Sequence, residues 1–218
     1  MFTSRRNKVF LVLAGIFITN AITAELIGGK LINVGPYVMS VGILPWPVVF
    51  LTTDLVNEYY GKEQVKKLSL LTAALIAYCF FVLLFALGIP ATTRVDGITD
   101  GQFNAVFGQS IWIIVGSITA FLISQLIDAV IFQYFKQRTG QKWIWLRSTG
   151  STVISQFFDS FIVLGIAFYL TGKMDTQMYI SSGMTGYLVK LGIAVALTPM
   201  IYLGHGIIDR YLKIDGKN

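Results

Sequence analysis

Apolar positions in this chain gather into long blocks, without the short alternations or narrow stripes of a soluble fold. Six blocks approach or exceed the ~18–20 residues needed to cross a hydrocarbon core: about 9–29, 38–57, 68–89, 110–135, 148–171 and 180–207. The segments between them are too short to enclose a core of their own. The longest, residues 90–109 (PATTRVDGITDGQFNAVFGQ), is polar and glycine-containing and reads as an external loop with room for one short amphipathic turn. The pattern predicts an all-α membrane protein of six transmembrane helices, forming one integral membrane domain over residues 1–218.

Two blocks carry signs of irregularity. In GILPWPVVFLTTDLVNEYYGK, Pro45 and Pro47 stand two apart. Proline lacks a backbone donor and disfavours helix in the residue before it, so this span breaks or starts afresh near Trp46. Backbone groups freed by the break must face protein or a wet cavity, and broken helices of this kind recur at transporter binding sites. Pro199 predicts a kink in the last span.

Composition agrees with the pattern: 55% of residues are hydrophobic, 13% are charged, and the mean hydropathy is +0.68. The net charge of +6 has a topological explanation, because Lys and Arg concentrate in cytoplasmic loops. With the N-terminus inside, the inner segments hold Arg5, Arg6 and Lys8; Lys62, Lys66 and Lys67; Lys136, Arg138, Lys142 and Arg147; and Arg210, Lys213 and Lys217. The outer segments hold only Lys30, Arg94 and Lys173, and Lys190 lies inside the sixth span. This distribution predicts that both termini are cytoplasmic in a multi-pass membrane protein. It leaves no role for nucleic acid. The first span is too long for a signal peptide and carries Asn20 and Glu25, so it reads as a mature helix. A single cysteine, Cys79, excludes a disulfide framework and a cysteine metal site. The sequence calls for no cofactor and no metal.

The informative residues are polar groups inside apolar runs. A central Asp or Lys costs roughly 2.5–3.5 kcal/mol on insertion scales, so each one needs a reason. Glu25, Asp54, Glu58, Asp128 and Asp159 lie in or near the spans, while the other acids fall in loops and ends. Ser-Gln-x-x-Asp occurs twice, as Ser124, Gln125, Asp128 and as Ser155, Gln156, Asp159. On a helix each motif sets serine and aspartate in line on one face, with the amide beside them. Asp128 lies about 12 Å along its helix from Lys136, and Asp159 about 18 Å from Arg147. If the two helices are neighbours, the motifs form a polar cluster near the midplane. In the second span Asp54, Asn57 and Glu58 share a face, with Lys62 four residues beyond Glu58.

Lys190 is too central to reach the interface easily and calls for an acidic partner or an anionic substrate group. One reading makes the whole set a hydrogen-bonded brace within the bundle. The other, favoured because serine and glutamine alone would brace helices at lower cost, makes it the lining of a substrate path. His205, the only histidine, sits near the basic end, as a proton shuttle or a polar end-cap. Most aromatics belong to the interfacial belt. Trp46, Tyr78, Phe157, Phe158 and Tyr187 are candidates to stack on a planar ligand.

The run TTDLVNEYYGK (52–62), the paired SQLID and SQFFD, the basic Trp/Lys/Arg loop between them and YLVKLGIAVALTP (187–199) resemble the vitamin uptake transporter family whose characterised members import queuosine precursors. The resemblance covers nearly the whole chain. It implies a six-helix protein, similar to the substrate-binding components of energy-coupling-factor transporters, that takes up 7-cyano-7-deazaguanine and 7-aminomethyl-7-deazaguanine for tRNA modification. It also implies a substrate-binding set of Asp54, Asn57, Glu58, Ser124, Gln125, Asp128, Ser155, Gln156, Asp159 and Lys190, without fixing their individual roles.

An alternative keeps the fold and changes the role, to a binding subunit for another small vitamin or nucleobase-like solute that depends on separate coupling-factor subunits. The docking stripe such subunits carry is matched here only weakly, by Ala24-x-x-x-Gly28. A membrane enzyme is disfavoured, since the chain has no His/Glu metal constellation, no nucleophile elbow and no phosphate-cradling loop. The stripes Ala73-x-x-x-Ala77 and Gly116-x-x-x-Ala120 permit close helix approach. They fit packing within the chain better than a homo-oligomer interface, which stays open.

Overall fold

The computed structural model describes residues 4–34, 37–109, 111–140 and 143–212. Helix α1 (Arg5–Ile27) is followed by a small antiparallel hairpin, β1 (Leu31–Val34) and β2 (Tyr37–Ser40), and a 3-10 turn (Val41–Ile43). Then come α2 (Trp46–Tyr60), α3 (Lys62–Leu87), the short α4 (Asp100–Phe107), α5 (Ile111–Thr139) and α6 (Ile144–Leu164), which runs into a π-helical turn (Gly165–Tyr169). The chain closes with α7 (Thr176–Ala196) and α8 (Thr198–Leu212).

Among the described residues four helical segments are long and apolar enough to cross a membrane: Arg5–Ile27, Lys62–Leu87, Asp100–Thr139 and Ile144–Tyr169. Helices α7 and α8 make a fifth if taken as one span bent by 44°. The expected second span, 38–57, is not a continuous helix. Its first residues close the hairpin and form the 3-10 turn, and helix starts only at Trp46, with Pro47 in the first turn where a missing donor does no harm. The 15 residues of α2 extend about 22 Å, short of the hydrocarbon thickness. The break near Pro199 falls where α7 ends and α8 begins. In the 90–109 loop, α4 is held by a capping box between Thr99 and Gln102.

Side-chain contacts fix which helix ends lie together. Arg6 donates to the Tyr59 carbonyl at 2.6 Å, Tyr60 donates back to the Arg6 carbonyl at 2.6 Å, and Arg5 reaches the Tyr211 carbonyl at 3.4 Å. Lys136 donates to the Glu58 carbonyl at 2.6 Å. The start of α1 and the ends of α2, α5 and α8 therefore share one end of the bundle, and it is the basic end. Of the basic residues counted for it, Lys142, Lys213 and Lys217 lie outside the described residues, as does Ser110 at the start of the fourth predicted span.

The bundle distributes its side chains as a lipid-embedded protein does. Leu11, Leu70, Phe81, Phe85 and Val130 face outward, whereas Thr52, Thr53, Asn57, Ser69, Ser148 and Ser151 are buried. A hydrophobic cluster around Phe17, Val49, Val56, Ile76 and Phe121 joins α1, α2, α3 and α5. Trp46 packs into it with its ring centroid 5.8 Å from Phe50 and 6.0 Å from Phe121. Tyr78 instead points outward, 65% exposed, and is no part of an interior pocket.

Gly116 lets α5 approach the end of α6 closely. A Cβ there would stand 3.2 Å from the Val163 carbonyl oxygen and 3.3 Å from the Ala167 nitrogen, both backbone atoms. This stripe is thus used within the chain. Gly116→Val is expected to destabilise the detergent-purified protein by about 1–3 kcal/mol through overpacking, read as a lowered thermal midpoint. An unchanged midpoint would show that the contact is not tight.

Candidate substrate site within the bundle

Helices α5 and α6 run antiparallel, and this direction determines how the two Ser-Gln-x-x-Asp motifs meet. Each motif places its serine four residues before its aspartate. Set side by side in opposite senses, the motifs bring each serine opposite the other's aspartate. The structure shows this crossing: Ser124 donates to Asp159 at 3.3 Å and Ser155 donates to Asp128 at 3.1 Å. The two motifs therefore occupy one level of the bundle, each serine facing the other motif's aspartate.

The surroundings of the two aspartates differ. Asp128 is 6% exposed, and its partners are hydroxyl groups, with Ser151 and Thr152 beside it in addition to Ser155. Asp159 keeps 13% of its side chain exposed and forms an ion pair with Lys190 of α7, itself 18% exposed. The pair expected for Lys190 is thus present, and it is the accessible part of the cluster.

The glutamines carry unused hydrogen-bonding capacity. The Gln125 carbonyl accepts from the Thr53 hydroxyl at 3.1 Å, and its amide nitrogen has no partner among the described residues. Gln156, only 3% exposed, makes no side-chain hydrogen bond to any described residue. Neither amide is among the sealed side-chain atoms left without a hydrogen bond, so both keep polar atoms free to hold a polar molecule beside the crossed pairs.

On the α2 side, Asp54 accepts a hydrogen bond from Ser148 of α6. Asn57 donates to the Ala129 carbonyl at 3.1 Å and accepts from Gln133 at 2.7 Å, tying α2 to α5. Glu58 does not pair with Lys62. It lies 3.2 Å from Lys136 and 2.9 Å from Arg147. Arg147 had a place among the loop charges, yet it is the largest of the fully buried side chains. Its Nη1 donates to the Gly140 carbonyl at 2.7 Å, and the guanidinium lies over the Phe132 ring at 5.9 Å. Gly140, with φ of 60° after the end of α5, turns the chain so that this carbonyl points inward. The Glu58–Arg147 contact is an ion pair without being aligned as a hydrogen bond, so Arg147 Nε and Nη2 have no hydrogen-bond partner among the described residues.

Sequence reasoning picked out Ser155 and Asp159 on α6 but neither Arg147 nor the neighbouring hydroxyls. Ser148, Thr152, Ser155 and Asp159 follow intervals of four, three and four, with Ser151 four before Ser155, and this periodicity was available as a signal. Glu25, on α1 toward the other end, accepts from Ser117, and Gln109 donates to its carbonyl at 3.1 Å. Phe157 and Tyr187 meet edge to face at 5.7 Å between α6 and α7, two and three residues from Asp159 and Lys190. No cluster of three or more metal-ligating side chains occurs among the described residues. A cavity of about 780 Å³ lined by Arg5, Tyr202, Gly206 and Arg210 lies between α1 and α8 and includes no residue of the paired motifs.

Lipid-facing helices packed around charged and amide groups mark a multi-pass membrane protein. Residues 40–204 match the family described as "Putative vitamin uptake transporter", and the chain belongs to that family. It is 29% identical over 168 residues to the "Probable queuosine precursor transporter" of Bacillus subtilis (strain 168), covering 75% of this chain and 70% of that one. It is 27% identical over 160 residues to the protein of the same name from Haemophilus influenzae (strain ATCC 51907 / DSM 11121 / KW20 / Rd), covering 72% and 63%. No solved structure matches it significantly.

Proposed function

We propose that this protein imports queuosine precursors, 7-cyano-7-deazaguanine and 7-aminomethyl-7-deazaguanine, across the bacterial inner membrane for tRNA modification. The carrying observation is the pair of buried, under-used amides, Gln125 and Gln156, beside the accessible Asp159–Lys190 pair. A deazaguanine ring presents N1–H and the N2 amine side by side, two donors that one carboxylate accepts together, and an O6 that accepts from an amide. Asp159 takes the two donors, Gln156 and Gln125 serve O6 and the ring edge, and Lys190 balances the charge. Phe157 and Tyr187 flank the ring. Ser124 and Ser155 hold the two aspartates in place, Asp128 completes the polar floor, and Asp54, Asn57 and Glu58 form the inner gate against Lys136 and Arg147.

The chain crosses the membrane six times in this reading, with α2 and the turn before it as the second crossing and α7–α8 as the sixth. Both termini are cytoplasmic. Support comes from the clustering of Arg5, Arg6, Lys136 and Arg147 at one end together with the general bias of Lys and Arg toward the inner side.

Direct binding tests the substrate. A ligand at 100 times its Kd stabilises the folded form by about 2.7 kcal/mol. The purified protein is heated with deazapurines, guanine and a panel of water-soluble vitamins. Only the deazapurines are expected to raise the thermal midpoint, and Gln156→Ala is expected to remove most of that rise. A shift with a vitamin and none with deazapurines would redirect the assignment to another solute.

A further inference from the structure

At the basic end, α8 packs on α2 through a short chain of polar groups that the substrate site does not use. The Tyr59 hydroxyl lies 2.5 Å from Asp209 Oδ1, 3.1 Å from His205 Nδ1 and 3.3 Å from the His205 carbonyl. A phenol has one proton, and the shortest contact, to a carboxylate, takes it. His205 Nδ1 then carries a hydrogen and donates it to the phenol oxygen, which leaves Nε2 as the acceptor nitrogen of a neutral ring. That Nε2 is sealed from solvent and has no hydrogen-bond partner among the described residues. His205 is 7% exposed, whereas Asp209 is only half-buried. The hydrogen bonds thus all point one way, from a buried basic nitrogen to a carboxylate with access to water.

The charged groups facing this imidazole are Glu58 from α2, Lys136 from α5, Arg147 from α6 and Asp209 from its own helix. Two of these groups are anions and two are cations, so the surroundings carry no net charge that would hold the ring in one protonation state. One turn deeper on α2, Asp54 is bonded by the Ser148 hydroxyl and forms no salt bridge among the described residues.

We infer that His205, Tyr59 and Asp209 form a proton exit relay, and that solute uptake through the bundle is coupled to inward proton movement. A proton released from the interior carboxyl side binds His205 Nε2. The Nδ1 proton passes to Tyr59 as the Tyr59 proton passes to Asp209, which loses it to water. The ring is left as the Nε2–H tautomer with Tyr59 donating to Nδ1; transfer of the ring proton from Nε2 to Nδ1 and rotation of the Tyr59 hydroxyl back to Asp209 reset the relay. No electron transfer or further reactant is required.

The relay rests on the proposed substrate only for its assay, so the two are separated by readout. In proteoliposomes, deazapurine binding and counterflow exchange are measured without a gradient, and net accumulation is measured with the outside acidic. A lumenal pH dye follows protons. The wild-type chain is expected to accumulate substrate about tenfold or more over the no-gradient control while the lumen acidifies, and a protonophore is expected to abolish the excess. Tyr59→Phe and His205→Gln are expected to retain binding and exchange and to lose both accumulation and acidification. Accumulation driven equally by sodium or by no gradient would overturn coupling. Intact proton-driven accumulation in His205→Gln would overturn the relay. A wild-type chain that neither binds nor exchanges deazapurines would overturn the substrate reading and, with it, the relay as a coupling device.

Discussion

Asp159→Asn is expected to abolish measurable uptake, with a loss of about a hundredfold or more, while the protein still reaches the membrane. Each hydrogen bond to a charged acceptor contributes about 1.5–3 kcal/mol, and asparagine offers one acceptor where the carboxylate offers two, with its NH2 set against the ligand's own donors. The substitution also strands Lys190, whose only ion-pair partner among the described residues is Asp159. Removing one partner of a buried pair costs about 3–5 kcal/mol, discounted here because both groups are partly exposed. Stability and uptake are therefore separated by the double variant Asp159→Asn with Lys190→Gln, which leaves no bare charge. Recovery of the thermal midpoint without recovery of uptake supports a binding role. Recovery of both would show that the pair is only a brace, and the site assignment would fall.

The second large effect is expected at Arg147, and it is one of stability before transport. Arg147→Gln removes a fully buried cation from Glu58, a hydrogen bond from the Gly140 carbonyl and the cation over Phe132. Glu58 retains Lys136, which is 25% exposed on its side chain and is a weaker, more solvated partner. A loss of about 3–5 kcal/mol is expected, seen as poor yield and a lowered midpoint in detergent. Arg147→Lys keeps the charge but cannot reach Glu58 and Gly140 with one planar fork, so it is expected to recover only part. Full stability of Arg147→Gln would mean that the Glu58–Lys136 contact suffices to close α2 against α5 and α6.

The Glu58 contacts also show where local reasoning stopped. Spacing along one helix proposed Lys62 as a partner. The partners present are Lys136 and Arg147, which lie 78 and 89 residues further along and are brought in by the antiparallel α5 and α6. The bias of positive charge assigned Arg147 to a loop, since a count of charges by segment carries no information on burial. Gly140 and the left-handed Trp143 (φ 61°) draw the start of α6 inward instead.

Other features were legible for identifiable physical reasons. Pro45 and Pro47 forbid continuous helix before Trp46, so the start of α2 could be read directly. Pro199 likewise predicts the break between α7 and α8. The hairpin at 31–40 was not legible, because its apolar residues suit a membrane span as well as a short strand pair.

The sequence by itself determined the membrane character of the chain, the places where helices break, and which polar residues share a helical face, since these follow from hydropathy, proline chemistry and the 3.6-residue repeat. Only the tertiary structure decided what each polar face meets. The crossing of Ser124 with Asp159 and Ser155 with Asp128, the burial of Arg147 against Glu58, and the chain from His205 to Asp209 all depend on which helices pack together and in which direction. Residues far apart in sequence become neighbours only through that packing.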